Sequence, residues 1–431
     1  MDLLILMVLV VVALLTRAVS GNWLAPGPFF CLFWVVNIGV ALAAGRSFPV
    51  SPTGLWILVS LLIAFAVGSL AFVGQPMPQS GQESSSDVRT FSGTLERRLR
   101  WAVAGLSGTA LVGLALETRA GFGQFSLNPS WISLLALAAA TSSARYAGTG
   151  ESGGAATWLV YLMYAAAPLG GALTAGSIRV RWRLLGALPV VITLLEGTLH
   201  ATRAGFVLGL VMWMAGFFAW KMFATRGRYS LLRGRTLPVV GLLTLLLPTV
   251  YVALQYLRGG VWKNFAIAPL LAHAAASLLG YVSAFSQWAA SRPESAATLG
   301  ANTFAGPFDL LGLARRSAGL YVDPVYFVGG EASNIYTAFR SLVEDFTLGG
   351  AWLWCLVMGV VASWSYRSVS GGATLWIMPL ALFYAFALFS PLASLLAWNS
   401  IVGAWVIACG LWVVVLKAFV APTAPVRTGG A

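Results

Sequence analysis

The sequence predicts an all-α, polytopic membrane bundle of about eleven transmembrane helices. Three observations carry this. Charged residues make up 9 % of the chain, against roughly 25 % in soluble domains. Hydrophobic residues make up 59 % of the 431 positions. The apolar runs reach the roughly 20 residues that cross a hydrocarbon core. The alternating pattern of a membrane β-barrel is absent, and backbone exposed to lipid must satisfy its own hydrogen bonds, which leaves helices.

The spans are expected near 3–20, 25–44, 55–74, 101–118, 157–176, 184–200, 204–223, 237–256, 350–366, 374–392 and 400–418. The opening "MDLLILMVLVVVALLT" lacks a basic n-region and a small-residue cleavage site, so it reads as a retained first helix. The segment "WISLLALAAATSSARY" (131–146) is short and ends in Arg145-Tyr146. It is expected to be re-entrant or interfacial. Between the spans, "ERRLR" (96–100), "RVRWR" (179–183) and "KMFATRGRYSLLRGR" (221–235) are dense in arginine. With 131–146 outside the count, all three fall on one side, together with Arg17, Arg367 and Lys417. The positive-inside rule assigns that side to the cytoplasm, with the N-terminus outside and the C-terminus inside.

The organisation then has three parts. Residues 1–256 are N-terminal helices with a polar linker at 74–93. Residues 257–349 form a large, partly helical outer loop. Residues 350–431 are C-terminal helices and a tail. Within the loop, "APLLAHAAASLLGYVSAF" (268–285) is expected to lie along the interface or pack on the bundle. A long ordered loop in so apolar a chain is where chemistry belongs.

The net charge of +13 is accounted for by loops that orient helices, and no nucleic-acid module is present. Cys31, Cys355 and Cys409 all fall in apolar spans without disulfide or zinc spacing, and two histidines, His200 and His273, make no metal centre.

The segment "SNIYTAFRSLVEDF" (333–346) concentrates polar and charged residues ahead of a span. As a helix over 334–346, capped by Ser333, it places Ile335, Phe339, Leu342 and Phe346 on one stripe. Thr337, Arg340 and Glu344 lie opposite, with Asn334, Ser341 and Asp345 on the flank. An Arg followed four residues later by Glu permits an ion pair. A solvated amphipathic loop helix with a decorative surface pair would show the same pattern.

"TLGANTFAGPFDLLG" (298–312) followed by "SNIYTAFRSLVEDFTLGG" (333–350) resembles the signature of the Wzy-type oligosaccharide repeat-unit polymerases. In that family pattern a Leu-Gly…Asn-Thr-Phe element precedes Asn-aromatic-Thr…Arg and then Asp-Phe-Gly. Gly300, Asn302, Thr303 and Phe304 match the first part. Asn334, Tyr336, Thr337, Arg340, Asp345 and Phe346 match the second, and Thr347 stands where the family has glycine. "SSARYAG" (142–148) resembles the family's Arg-Tyr element. "HATRAGFVLGLVMWMAGFF" (200–218) resembles the arginine-led span shared with O-antigen ligases, and "GYVSAFSQW" (280–288) resembles the element ahead of the large loop.

The resemblance implies a GT-C-like membrane glycosyltransferase that uses no metal, cofactor or nucleotide sugar. Its partners would be undecaprenyl-diphosphate-linked glycans as donor and acceptor, membrane lipids, and a polysaccharide chain-length regulator. The product would be O-antigen, capsule or exopolysaccharide, made at the outer face of the bacterial inner membrane. Such a reaction needs a cation for the diphosphate, for which arginine's planar fork is suited, and a general base for the acceptor hydroxyl. Arg203 and Arg340 are the expected diphosphate ligands, with Arg145, Arg315 and Arg316 behind them. Arg203 at a helix end also fits snorkelling to the interface. Glu344, Asp345 and His200 compete as the base, and each also fits a structural ion pair or hydrogen bond. Tyr146, Asn302, Asn334, Tyr336 and Thr337 are expected to contact substrate. Glu117 and Glu196 lie in spans, where an acid is a functional candidate; Glu196 is expected to pair with Arg203. An O-antigen ligase would use the same donor once rather than repeatedly. A lipid-linked saccharide flippase or other transporter is the reading from another class; it predicts polar groups along a midplane pathway and paired repeats, whereas the charges mass on one face and no repeat is evident.

Overall fold

A computed structural model describes residues 1–72, 93–125, 130, 136–141, 144, 154–200, 203–230, 249–254, 267–291, 297–313, 321 and 323–417. Among them the helices are α1 (Asp2–Ser20), α2 (Pro26–Ala44), α3 (Pro52–Ser69), α4 (Gly93–Gln124), α5 (Ala155–Gly176), α6 (Val180–Leu199), α7 (Arg203–Ala224), α8 (Ile267–Ala290), α9 (Ala305–Leu310), α10 (Thr337–Ser370), α11 (Ile377–Phe389) and α12 (Asn399–Lys417). The only described sheet is a two-residue hairpin, β1 (Val325–Tyr326) against β2 (Ala332–Ser333), antiparallel. The chain is a polytopic membrane protein: 9 helices among the described residues are long and apolar enough to cross a bilayer. They coincide with nine of the expected spans. Of the remaining two, 374–392 appears as a shorter apolar helix, Thr374–Phe389. The other, 237–256, lies largely outside the described residues, of which 249–254 are helical. The linker 74–93, apart from Gly93 at the start of α4, and most of 131–146 lie outside them too.

Local chemistry explains the helix ends. Pro26 and Pro52 sit in the first turns of α2 and α3, where no N–H is needed. Gly21 closes α1 at φ 75°, donating its N–H to the Arg17 carbonyl. Close helix contacts use glycine, as expected where lipid supplies no hydrophobic drive between helices. A Cβ on Gly68 would overlap the Leu356 carbonyl, and one on Gly359 the Phe65 carbonyl, so α3 and α10 meet backbone to backbone. Gly171 and Gly216 do the same for α5 and α7.

The arginine-rich loops converge at one end of the bundle. The side chain of Asn22 donates to the carbonyls of Gly227 and Tyr229, the latter at 3.0 Å. Lys221 Nζ donates to the Ala175 carbonyl at 2.9 Å, and Tyr366 Oη to the Gly227 carbonyl at 3.4 Å. Arg17, Arg179–Arg183, Arg226–Arg228 and Arg367 thus share this end.

At the other end α8 packs on α2 and α3 rather than lying free at the interface. Tyr281 Oη donates to Asn37 Oδ1, and Ser286 Oγ accepts the Ser51 N–H at 3.0 Å. Phe285, Val282 and Ala284 are fully buried.

Candidate functional site

The expected helix 334–346 begins three residues later and is not capped by Ser333. Tyr336 stands at the N-cap position of α10, while Ser333 pairs in β2 and its Oγ accepts the Ile335 N–H at 3.2 Å. Asn334 and Ile335 are therefore in the approach to the helix. Nor is the helix half-solvated. Thr337, Ala338, Phe339, Ser341, Leu342 and Val343 are all buried. Phe339 lies against Trp34 and Phe30, with ring centroids at 5.4 and 6.2 Å. The Ala338 N–H donates to the Ser390 carbonyl at 2.7 Å. This turn is plugged into the bundle, and its polar side chains find their partners inside the protein.

Arg340 is 8 % exposed. Its Nε donates to Glu344 Oε1 at 2.8 Å. Its guanidinium lies over Tyr321 at 3.8 Å, Tyr336 at 4.1 Å and Trp288 at 5.1 Å. Three aromatic faces and one carboxylate are a strong cation cage. Nη1 of Arg340 is buried and has no hydrogen-bond partner among the described residues. Tyr336 Oη donates to the Asp323 carbonyl, and Tyr321 packs edge-on to Tyr336 at 5.2 Å. Burial, with the Glu344 charge adding to it, pushes the Tyr321 phenol well above its ordinary value, so it stays neutral.

Asp345 is completely buried. It accepts from the Thr298 hydroxyl, the Asn302 N–H at 3.0 Å and the Thr303 N–H at 2.5 Å. The carbonyls of Glu344 and Asp345 in turn accept the Thr298 and Leu299 N–H groups at 3.3 and 3.0 Å. Next comes a break: Thr347 has φ 59° and ψ 178°, a region that glycine alone occupies without strain. Leu299 and Gly300 opposite have φ 51° and 96°. Phe346 stacks on Trp354 at 5.6 Å, and Phe304 meets the same ring edge-on at 5.5 Å. The segments 298–304 and 336–347 are thereby one folded unit. Asn302 Nδ2 donates to Thr298 Oγ1 at 3.1 Å, so Asn302 serves this unit at its surface.

A second cluster lies where α4, α5 and α6 end or begin. His200 Nδ1 is 3.4 Å from Glu196 Oε1 and its Nε2 is 3.7 Å from Glu117 Oε2. The Thr157 hydroxyl donates to Glu117. Glu196 thus faces His200. Arg203, the first residue of α7, lies over the Tyr251 ring at 4.6 Å, and its Nη1 is buried without a partner among the described residues.

The expected pair Arg203 and Arg340 is not brought together at one point. Arg203 reaches α8 through Tyr251, which hydrogen-bonds Ser277, whereas Arg340 reaches it at Trp288. Eleven residues separate these positions, which share a helix face about 16 Å apart along the axis. Arg145, Tyr146, Arg315 and Arg316 lie outside the described residues.

Sequence reasoning missed Tyr321, which has no motif to mark it, and the role of Trp288, whose segment 280–288 carries only a resemblance. It also missed Thr298, the donor that seats Asp345. Among the described residues no three His, Cys, Asp or Glu side chains form a metal-binding group. No family model, no curated protein and no solved structure matches the chain.

Proposed function

We propose that this protein is a membrane glycosyltransferase that polymerises polyprenyl-diphosphate-linked oligosaccharide repeat units, with the arginine-rich end of the bundle in the cytoplasm and the Arg340 end outside. One observation carries the reading. The two segments that resemble the repeat-unit polymerase signature, 298–304 and 334–346, are far apart in sequence and are tied together by Asp345, with the Arg340–Glu344 pair one turn away. A signature whose halves meet at a buried carboxylate, beside an Arg–Glu pair, fits a site better than a surface helix.

The chemistry follows from the roles open to each group. The acceptor hydroxyl attacks the anomeric carbon of the donor glycan. The bond from that carbon to the phosphate oxygen breaks, and polyprenyl diphosphate leaves with the electron pair. We assign Arg340 to the diphosphate charge, a role supported by its aromatic cage and by an Nη1 without a partner among the described residues. Glu344 is the preferred base, because a diphosphate that takes over Arg340 frees this carboxylate for the hydroxyl proton. Asp345 already accepts three hydrogen bonds, so we assign it to holding the site. Arg203, further along the same face of α8, is a second anion contact. A ligase that transfers the same donor once is the alternative.

The test is reconstitution of the purified protein with a synthetic undecaprenyl-diphosphate repeat unit, in chelator and without nucleotide sugar. The reading predicts a ladder spaced by one repeat, abolished in Arg340→Gln and in Glu344→Gln. Single transfer to a separate acceptor would replace the polymerase by the ligase. Normal ladders from both variants would remove Arg340 and Glu344 from the chemistry.

A further inference from the structure

At the opposite end of the molecule, Arg100, two turns into α4, meets Trp182 in the first turn of α6. The guanidinium of Arg100 lies 4.1 Å from the centre of the Trp182 ring, and that of Arg181 lies 4.6 Å from the same ring. Two full positive charges held against one indole are no farther apart than about one Debye length at physiological salt. Arg97 and Arg98 precede on α4, and Arg179 and Arg183 flank Arg181 on α6. The backbone adds to the field: α6 starts here with Arg179 at its N-cap, no side-chain cap and no acid in the first turn.

Among the described residues no carboxylate forms an ion pair with these arginines. Glu96 is the acid of the first turn of α4, and Arg100 Nε reaches its backbone carbonyl at 3.3 Å rather than its carboxylate. Orienting a membrane protein needs basic loops, but it does not need two guanidiniums fixed on one ring. Around them, Trp101, Ile178, Val180 and Leu184 are 74, 72, 66 and 67 % exposed. Apolar side chains left bare at this level belong against acyl chains, with the arginines at headgroup depth.

We propose that Arg100, Arg181 and Trp182 form a binding site for the phosphate of an anionic phospholipid at the junction of α4 and α6. The two planar forks donate to the phosphate oxygens, Trp182 fixes their spacing, and Trp101, Ile178, Val180 and Leu184 receive the acyl chains. This site is independent of the glycosyltransferase reading.

Native mass spectrometry of the full-length protein in detergent tests it, titrated separately with dioleoyl phosphatidylglycerol, dioleoyl phosphatidylcholine and inorganic phosphate. The wild type is expected to retain one phosphatidylglycerol more tightly than phosphatidylcholine. Arg100→Gln/Arg181→Gln should weaken that adduct on the order of tenfold or more, given two basic side chains at a headgroup surface. Arg228→Gln, at the same end but away from Trp182, should leave it unchanged. Arg100→Lys/Arg181→Lys keeps the charge and guards against misfolding; it should still lose most of the preference, because an ammonium does not stack or fork. Equal binding of the two lipids, or an equal loss in Arg228→Gln, would overturn the site. Displacement of the lipid by millimolar inorganic phosphate would make the ligand free phosphate and overturn the lipid assignment.

Discussion

Thr347 holds a backbone conformation with φ 59° and ψ 178° that a β-branched residue occupies at a cost of order 1–3 kcal/mol. The strain persists because both sides of it are anchored, by Asp345 on one and by Phe346 against Trp354 on the other. Thr347→Gly removes the strain but adds backbone freedom to the unfolded chain, so a net gain of about 1 kcal/mol is expected. A higher melting temperature in detergent by differential scanning fluorimetry would bear this out; a lower one would mean that the Thr347 side chain contributes more than its backbone costs. At Asp345, the Asn variant keeps the size but replaces one carboxylate oxygen by a donor facing other donors. We expect a loss of about 2–3 kcal/mol, as for a buried charge-assisted bond left unmade. Hydrogen exchange should localise it: the amides of Asn302 and Thr303 are predicted to lose protection. If they stay protected in Asp345→Asn, the carboxylate is not what orders that turn.

At the scale of elements, α10 has 34 residues, about 51 Å of helix, which is well beyond the roughly 30 Å hydrocarbon core. The break at Thr347 resolves this by separating a buried half that carries Arg340 from a spanning half of ordinary length. The spanning half is located by its contact with α3, where Gly68 and Gly359 let the backbones touch. Gly359→Val has no room for its side chain beside the Phe65 carbonyl and should cost about 1–3 kcal/mol, or more if the helices cannot shift. Comparing it with Gly403→Val, whose Cβ would meet nothing within 4 Å, separates packing from helix propensity. Equal melting temperatures for the two would show that α3 and α10 do not depend on this contact.

For the whole molecule, the two ends differ in kind. One gathers the arginine loops; the other gathers Arg340, Glu344, Asp345, Glu117, Glu196 and His200 among aromatic and small polar groups. The proposed orientation predicts that a cysteine placed at Arg228 is labelled by a membrane-impermeant maleimide only after the inner membrane is opened, whereas one at Asn334, which is exposed on the other end, is labelled in intact spheroplasts. The opposite pattern would invert the topology. Cys31 and Cys355 are buried, and their thiols should stay silent.

Sequence by itself determined the class and most of the spans, because a bilayer reads apolar length, and length is a local property. It also marked Arg340, Glu344 and Asp345, because charges are conspicuous in so apolar a chain. Only the tertiary structure decided what those charges do. The pattern at 334–346 is equally that of a half-solvated surface helix, and the burial of Thr337–Val343 came from α2, α8 and α11, which no window of local sequence contains. That Asp345 seats the 298–303 turn, that Trp288 and Tyr321 wall in Arg340, and that Arg203 stands farther along α8 are all long-range contacts. Periodicity records which face of a helix is apolar; it carries no record of which polar group, many residues away, will meet the other face.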